Sequence, residues 1–281
     1  MNKQADITLV HLQGPAPVVS APLGCLCLLS ALEAAGIRAE FRDYQLGDGP
    51  SFEHGDLVRF ISDDSAGIIG ISAMVNVLPH LVSALREIRM ARPDKKIILG
   101  GPGPASVAAS LLAEYPVADV IVRGEGEVTL PAVVHALAGG RDPAVIPGVV
   151  CRSTAGIVQR TGPGRITELD HLPLPAFHRV DFTRYNGAVP LELTRGCPFT
   201  CAFCETSAFW GREVRHYSPE RVARSAFAVA ERTGRTQFGF VDDTFGLDRD
   251  RAERLIDLFA GTGITWTCST RVERLNESWV G

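Results

Sequence analysis

Three of the seven cysteines fall within eight residues, in the run Leu193-Thr194-Arg195-Gly196-Cys197-Pro198-Phe199-Thr200-Cys201-Ala202-Phe203-Cys204. The spacing is C-x3-C-x2-C. Thiolates suit iron–sulfur clusters, which normally take four cysteines. Three on one compact loop would hold three irons of a 4Fe–4S cube and leave the fourth iron open, as catalytic metal sites keep a position open. Gly196 and Pro198 shape a loop whose backbone can donate hydrogen bonds to cluster sulfurs. Zinc is the rival metal. It needs a fourth ligand, and the nearest candidate is His216, twelve residues beyond Cys204. Three unligated cysteines clustered by chance are the remaining alternative.

Two other groups lie at strand ends. Val241-Asp242-Asp243-Thr244-Phe245 follows an apolar run. A carboxylate there would favour an ammonium group, or the pair would form a turn and cap the next segment. Arg271, after the following strand, would pair with a carboxylate or stay solvated. The remaining cysteines lack the spacing of a second cluster. Cys25 and Cys27 read as small core residues at a helix start, Cys268 as part of a buried strand, and Cys151 as partly exposed.

Apolar runs alternate with helical periodicity along the first 140 residues. Residues 7–10, 38–44, 67–73, 96–99 and 119–122 read as strands. Residues 26–35, the segment carrying Leu78, Leu81, Val82, Leu85 and Ile88, residues 105–115 and the segment running on to Ala138 read as helices. This rhythm predicts an α/β fold with a doubly wound parallel sheet, whose ligands sit at the carboxyl ends of the strands. Those ends are rich in glycine, which lets a ligand approach the backbone. Gly139, Gly140 and five prolines punctuate residues 139–185, with a small hairpin expected near 149–158. The βα rhythm returns at Val189, with strands expected at 189–194, 237–241 and 264–268. Helices are expected to start at Ser218-Pro219 and Asp248. The expected domains are residues 1–140, a linker over 141–185, and 186–281. Three βα units are fewer than a (β/α)₈ barrel of about 250 residues requires. The expectation is a partial barrel and, with it, a partner chain that completes it.

At 46% apolar residues the chain can bury sizeable cores. A net charge of −4 leaves no electrostatic footprint for nucleic acid or a membrane surface. No apolar stretch reaches the roughly 20 residues that span a bilayer. The first six residues lack the features of a secretory leader, and the odd cysteine count argues against a disulfide framework, so a cytoplasmic protein is expected.

The cysteine run resembles the signature of the radical S-adenosylmethionine (radical SAM) superfamily, C-x3-C-x-Φ-C, with Phe203 as the aromatic Φ. The chain further resembles the subgroup with a cobalamin-binding domain, through residues 168–175 (ELDHLPLP) and 215–222 (RHYSPERV). In the first 140 residues, Ser72-Ala73-Met74 resembles an S-x-L element near the cobalamin nucleotide tail. Gly100-Gly101 resembles the paired glycines beside it, and Gly124-Glu125-Gly126-Glu127 a recurrent turn. The resemblance covers nearly the whole chain. It implies a cobalamin-binding, flavodoxin-like domain followed by a radical SAM barrel, a 4Fe–4S cluster on Cys197, Cys201 and Cys204, S-adenosylmethionine on the open iron, and Asp242 and Asp243 near its amino group. It also implies reductive cleavage to methionine and a 5′-deoxyadenosyl radical, fed by an electron donor such as flavodoxin or ferredoxin.

One feature of many cobalamin domains is missing. The loop after the first strand carries no D-x-H-x-x-G, and His11 reads as packed or hydrogen-bonded rather than as a cobalt ligand. Cobalamin bound base-off is therefore expected, the alternative being a domain that has lost its cofactor. Methyl transfer to an unactivated carbon of a small molecule or peptide is the leading expectation, with radical cyclisation or rearrangement as its rival. A methylthiotransferase acting on transfer RNA would want a second three-cysteine set and basic patches, and neither is visible. A non-catalytic, truncated or split cobalamin-binding subunit is the reading from a different class.

Overall fold

The computed structural model describes residues 5–14, 16, 18–47, 54–153, 156–159 and 162–275. Residues 1–4, part of the N-terminal stretch read as lacking a secretory leader, and Pro15 and Pro17 of the loop after the first strand lie outside these. The chain divides into two compact units, residues 1–17 with 24–166 and residues 18–23 with 167–281.

The first unit is built on β1 (Ile7–Leu12), β2 (Ala39–Asp43), β3 (Ile68–Ala73), β4 (Lys96–Gly100) and β5 (Val120–Val122), all parallel, in the order β2-β1-β3-β4-β5. This is the flavodoxin-like order, with its switch point between β1 and β3. β1 is buried at every position, as a central parallel strand covered on both faces must be. The helices are α1 (Leu23–Ala34), α2 (His54–Ser62), α3 (Leu78–Ala91), α4 (Pro102–Ser106), α5 (Ala108–Glu114) and α6 (Gly126–Ala138). After α1 the chain turns at Gly36, whose φ of 73° suits glycine. One core joins Val10, Ile69, Ile71 and Leu99 of the sheet to Leu81, Ala84, Leu85 and Ile88 of α3.

Three elements depart from expectation. The stretch read as one helix over 105–115 breaks at Val107 into α4 and α5. Helix α2 was not anticipated, although Leu57 and Ile61, four residues apart, are both fully buried. The hairpin of β6 (Val149–Ser153) and β7 (Gly156–Gln159) extends the first sheet antiparallel beyond β5, pairing Cys151 with Val120. Cys151 is consequently buried, not partly exposed.

In the second unit β8 (Val189–Leu191), β11 (Gln237–Phe240) and β12 (Thr265–Thr267) form a parallel sheet in the order β12-β11-β8. A separate antiparallel pair joins β9 (Thr194–Arg195) to β10 (Arg215–His216). The expected strand over 189–194 thus breaks after Leu191. Helices α7 (Thr206–Phe209), α8 (Pro219–Thr233) and α9 (Arg249–Phe259) complete the unit. α8 starts with proline in its first turn, and the Asp248 carboxylate caps α9 by accepting from the Arg251 N–H at 3.1 Å. Arg235 holds the lead-in to β8, donating to the carbonyls of Phe182, Tyr185 and Gly187 at 3.1, 3.0 and 2.6 Å. Cys268 follows β12 and is exposed, correcting its placement in a buried strand; β12 pairs only with β11 among the described strands, and its ends face outward. No described helix is long and apolar enough to cross a membrane.

Candidate functional site

The cysteine loop leaves β9 through Gly196. Its φ is 98°, and a Cβ there would collide with the Glu213 carbonyl oxygen, so the β9–β10 hairpin closes only around glycine. Arg195 anchors the entry. It is buried, pairs with Glu192 at 2.9 Å, and lies over the rings of Trp210 and Tyr217 at 5.3 and 5.7 Å. The loop then grades its thiols by depth: Cys197 is buried, Cys201 half-buried and Cys204 exposed, with none in a disulfide. Phe203 between them is 93% exposed, an unusual position for a phenyl ring.

The Cys197 sulfur lies 3.8 Å from the Thr244 hydroxyl, and the Cys201 sulfur accepts from Arg271 Nη1 at 3.4 Å. Two backbone N–H groups of the loop are engaged within the chain, Cys197 with the Gly211 carbonyl at 3.3 Å and Cys204 with the Cys201 carbonyl at 3.1 Å. Among the described residues no three His, Cys, Asp or Glu side chains gather as ligands of a single metal ion. A cube asks for something different, because each thiolate takes its own iron. The donor set fits that demand: three thiols on one loop, two of them beside hydrogen-bond donors.

The structure separates the paired aspartates. Asp242 is buried and accepts from the Leu193 N–H at 3.0 Å and the Thr194 hydroxyl at 2.6 Å, fastening the break between β8 and β9 to the end of β11. Asp243 is exposed and accepts from the Thr206 hydroxyl at 2.9 Å. Burial pushes the Asp242 carboxyl up to about 6, with its hydrogen bonds from Thr194 and Leu193 opposing. Burial also raises Asp243, against its bond from Thr206.

The Asp242 shift has a consequence for stability. Below the ordinary value of 3.8 both the folded and unfolded states hold the proton. As pH rises from there towards 6, the unfolded chain releases it while the folded chain keeps it. The contribution is therefore full at low pH and is lost through that window, by up to about 3 kcal/mol. Denaturant titrations of the apoprotein between pH 4 and pH 7 are expected to show this fall, and Asp242→Asn to flatten it. An equal slope in both proteins would count against the assignment.

In the first unit, the parallel registers set His11 opposite Asp43 of β2 and Ser72 of β3, and Ser72 opposite Gly100 of β4, so these residues form one row near the carboxyl edge of the sheet. His11 is hydrogen-bonded, as expected: its Nδ1 lies 2.9 Å from Asp43 Oδ1 and 3.2 Å from Gln45 Nε2. Burial pushes the Cys25 thiol up to about 12, with the Asp43 charge adding and a hydrogen bond with Ser72 opposing, which leaves an inert core thiol. Gly101 has a φ of 83°, and a Cβ on it would come within 3.0 Å of Ser72 Oγ and 2.9 Å of the Ala73 carbonyl. Above Gly100 there is room, the nearest atom to an added Cβ being the Val122 carbonyl oxygen at 3.9 Å. The Gly124-Glu125 turn is engaged within the chain. Gly124 bridges to Gly164, and the buried Glu125 carboxylate accepts from the Ile166 N–H at 2.9 Å.

Sequence reasoning did not anticipate Thr194, Thr206 and Thr244 as partners of the site, nor the contact of Arg271 with Cys201. These pairs lie 37 to 70 residues apart and carry no spacing signal.

Comparison with known proteins adds to this geometry. The B12 binding domain family matches residues 14–134, and the radical SAM superfamily matches residues 191–280. An uncharacterized methyltransferase of Pyrococcus horikoshii is 29% identical over 267 residues, covering 91% of this chain and 56% of its own length. An anaerobic magnesium-protoporphyrin IX monomethyl ester cyclase of Synechocystis is 28% identical, over 63% of this chain and 36% of its own. Among solved structures, the cobalamin-dependent S-adenosylmethionine radical enzyme OxsB, with aqua-cobalamin and S-adenosylmethionine bound, superposes with a TM-score of 0.77. It shares 21% identity and covers 99% of this chain and 41% of that one, a likeness of fold. The chain spans about half the length of the Pyrococcus relative.

Proposed function

Because the chain belongs to the radical SAM superfamily, in the group that joins this domain to a B12-binding domain, we propose that it serves methyl transfer to an unactivated carbon with a 4Fe–4S cluster, S-adenosylmethionine and cobalamin. The observation that carries the proposal is the C-x3-C-x2-C loop, issuing from a strand beside a parallel sheet and preceded in the chain by a flavodoxin-like unit with a glycine-lined edge. Bound to this chain, the cluster would supply the electron that cleaves S-adenosylmethionine to a deoxyadenosyl radical, and cobalamin would supply the methyl group.

Cys197, Cys201 and Cys204 hold the cluster in this reading. Asp243, exposed at the end of β11, faces the amino group of S-adenosylmethionine. Asp242 has both oxygens engaged and acts by fixing the position of that strand end. Phe203 offers its exposed ring as an apolar contact for the cofactor. Ser72, Gly100 and Gly101 line the approach of the cobalamin tail, and the Gly124-Glu125 turn supports the same edge. Electrons come from an external carrier of the flavodoxin or ferredoxin kind, and the substrate is a small molecule or peptide.

The cyclase relative favours a second reading, radical cyclisation or rearrangement with the same cofactors. One experiment separates the two. Reconstituted protein with bound cobalamin, reductant and S-adenosylmethionine labelled in its methyl group is expected to form 5′-deoxyadenosine and to carry label onto cobalamin. Deoxyadenosine without labelled cobalamin would favour cyclisation, and neither product would refute both.

A further inference from the structure

We propose that Arg271 sets the reduction potential of the cluster by donating a hydrogen bond to the sulfur of Cys201, an inference that rests on Cys201 being a cluster ligand. Arg271 lies just beyond β12, before the short turn Val272–Arg274, and its Nη1 is 3.4 Å from Cys201 Sγ. Three contacts hold the guanidinium in place. Nη1 points at the sulfur, Nε pairs with the Glu273 carboxylate, and the plane lies over the Phe199 ring with Cζ 4.1 Å from its centroid. Phe199 belongs to the cysteine loop itself, between Cys197 and Cys201, so the arginine grips the loop at two points. Arg274 lies over the same ring at 5.8 Å.

The donors on the other sulfurs differ in kind. Cys197 faces the neutral hydroxyl of Thr244, and Cys204 is exposed. Cys201 has a charged donor. Reduction adds an electron whose charge spreads over the sulfurs, and hydrogen bonds to those sulfurs stabilise the reduced form. Bonds from a charged donor are about twice as strong as neutral ones. Arg271 therefore raises the potential and eases reduction by a weak external donor. A lysine keeps the charge but cannot offer the fork that meets Glu273 and the sulfur together.

The test is a redox titration of anaerobically reconstituted protein, followed by electron paramagnetic resonance in the absence of S-adenosylmethionine. Arg271→Gln is expected to lower the reduced-to-oxidised ratio at a fixed potential about tenfold, a shift of about 59 mV for one electron. Arg271→Lys should fall between the two. Wild-type potential in R271Q at full iron content would overturn the proposal and leave the cluster assignment standing. The same would follow if R271Q changed only the affinity for S-adenosylmethionine. Should R271Q fail to hold iron, Arg271→Lys decides, since a wild-type potential in that variant is equally fatal. Wild-type protein that takes up no cluster would refute the cluster assignment and this inference together.

Discussion

Replacing Cys197, Cys201 and Cys204 together by alanine is expected to take anaerobically reconstituted protein from about four irons and four sulfides per chain to none. The effect should be all-or-none because the cube draws every protein ligand from one loop. The fold should survive. Cys204 is exposed and Cys201 half-buried, so only the Cys197 side chain leaves a gap in a packed region. That truncation removes one sulfur and costs on the order of 1 kcal/mol. Far-ultraviolet circular dichroism should therefore match the wild type while the iron is lost. The matched control replaces Cys25, Cys27, Cys151 and Cys268 by alanine. Three of these are core thiols and the fourth lies beyond β12, so this variant should retain its iron if it folds. Iron retained by the triple variant, or stoichiometric zinc with no iron in the wild type, would refute the assignment.

Local chemistry explains what was legible in the sequence. The cysteine run, the proline start of α8 and the Asp248 cap of α9 are each written within a few neighbouring residues. The parallel strands were legible because strands buried on both faces read as continuous apolar runs, as in ITLVHL and IIGISA. Failures came where a long-range contact decides. The 149–159 hairpin has the composition of any small hairpin, and only the free edge of β5 makes it part of the first sheet and buries Cys151. The break after Leu191 follows from Asp242, which captures the Leu193 N–H and the Thr194 hydroxyl from 48 or more residues away. The two aspartates look equivalent as neighbours in sequence, yet one lies inside and one outside, so their chemistry diverges. Arg271 is one arginine among many until the chain brings it to Cys201 from 70 residues away.

The same row of strand ends supports a test of cobalamin binding. Gly100→Val is expected to weaken binding of hydroxocobalamin about ten- to a hundredfold, because an isopropyl group would stand where the cofactor tail must pass. Overpacking of that size costs about 1–3 kcal/mol, which converts to that range of affinity. The probe is clean because Gly100 ends β4 without a positive φ, and an added Cβ meets nothing closer than 3.9 Å. Valine is also favoured in strands, so folding should be unaffected. Gly101 would be a poor probe, since its φ of 83° and the Ala73 carbonyl 2.9 Å from an added Cβ would disturb the backbone itself. His11→Ala supplies the opposite expectation. His11 Nδ1 is hydrogen-bonded to Asp43, and its loss removes one bond from a buried carboxylate that still accepts from the Gln45 N–H, so it should cost about 1 kcal/mol of stability. The absorption spectrum of bound cobalamin should nevertheless stay that of the base-off form. Titration of both variants by absorbance, with thermal melts as the folding control, reads these outcomes directly. Wild-type affinity in Gly100→Val would remove the tail from this edge. A large spectral change in His11→Ala would make the histidine a cobalt ligand, with Asp43 orienting its ring from behind as carboxylates orient metal-bound histidines.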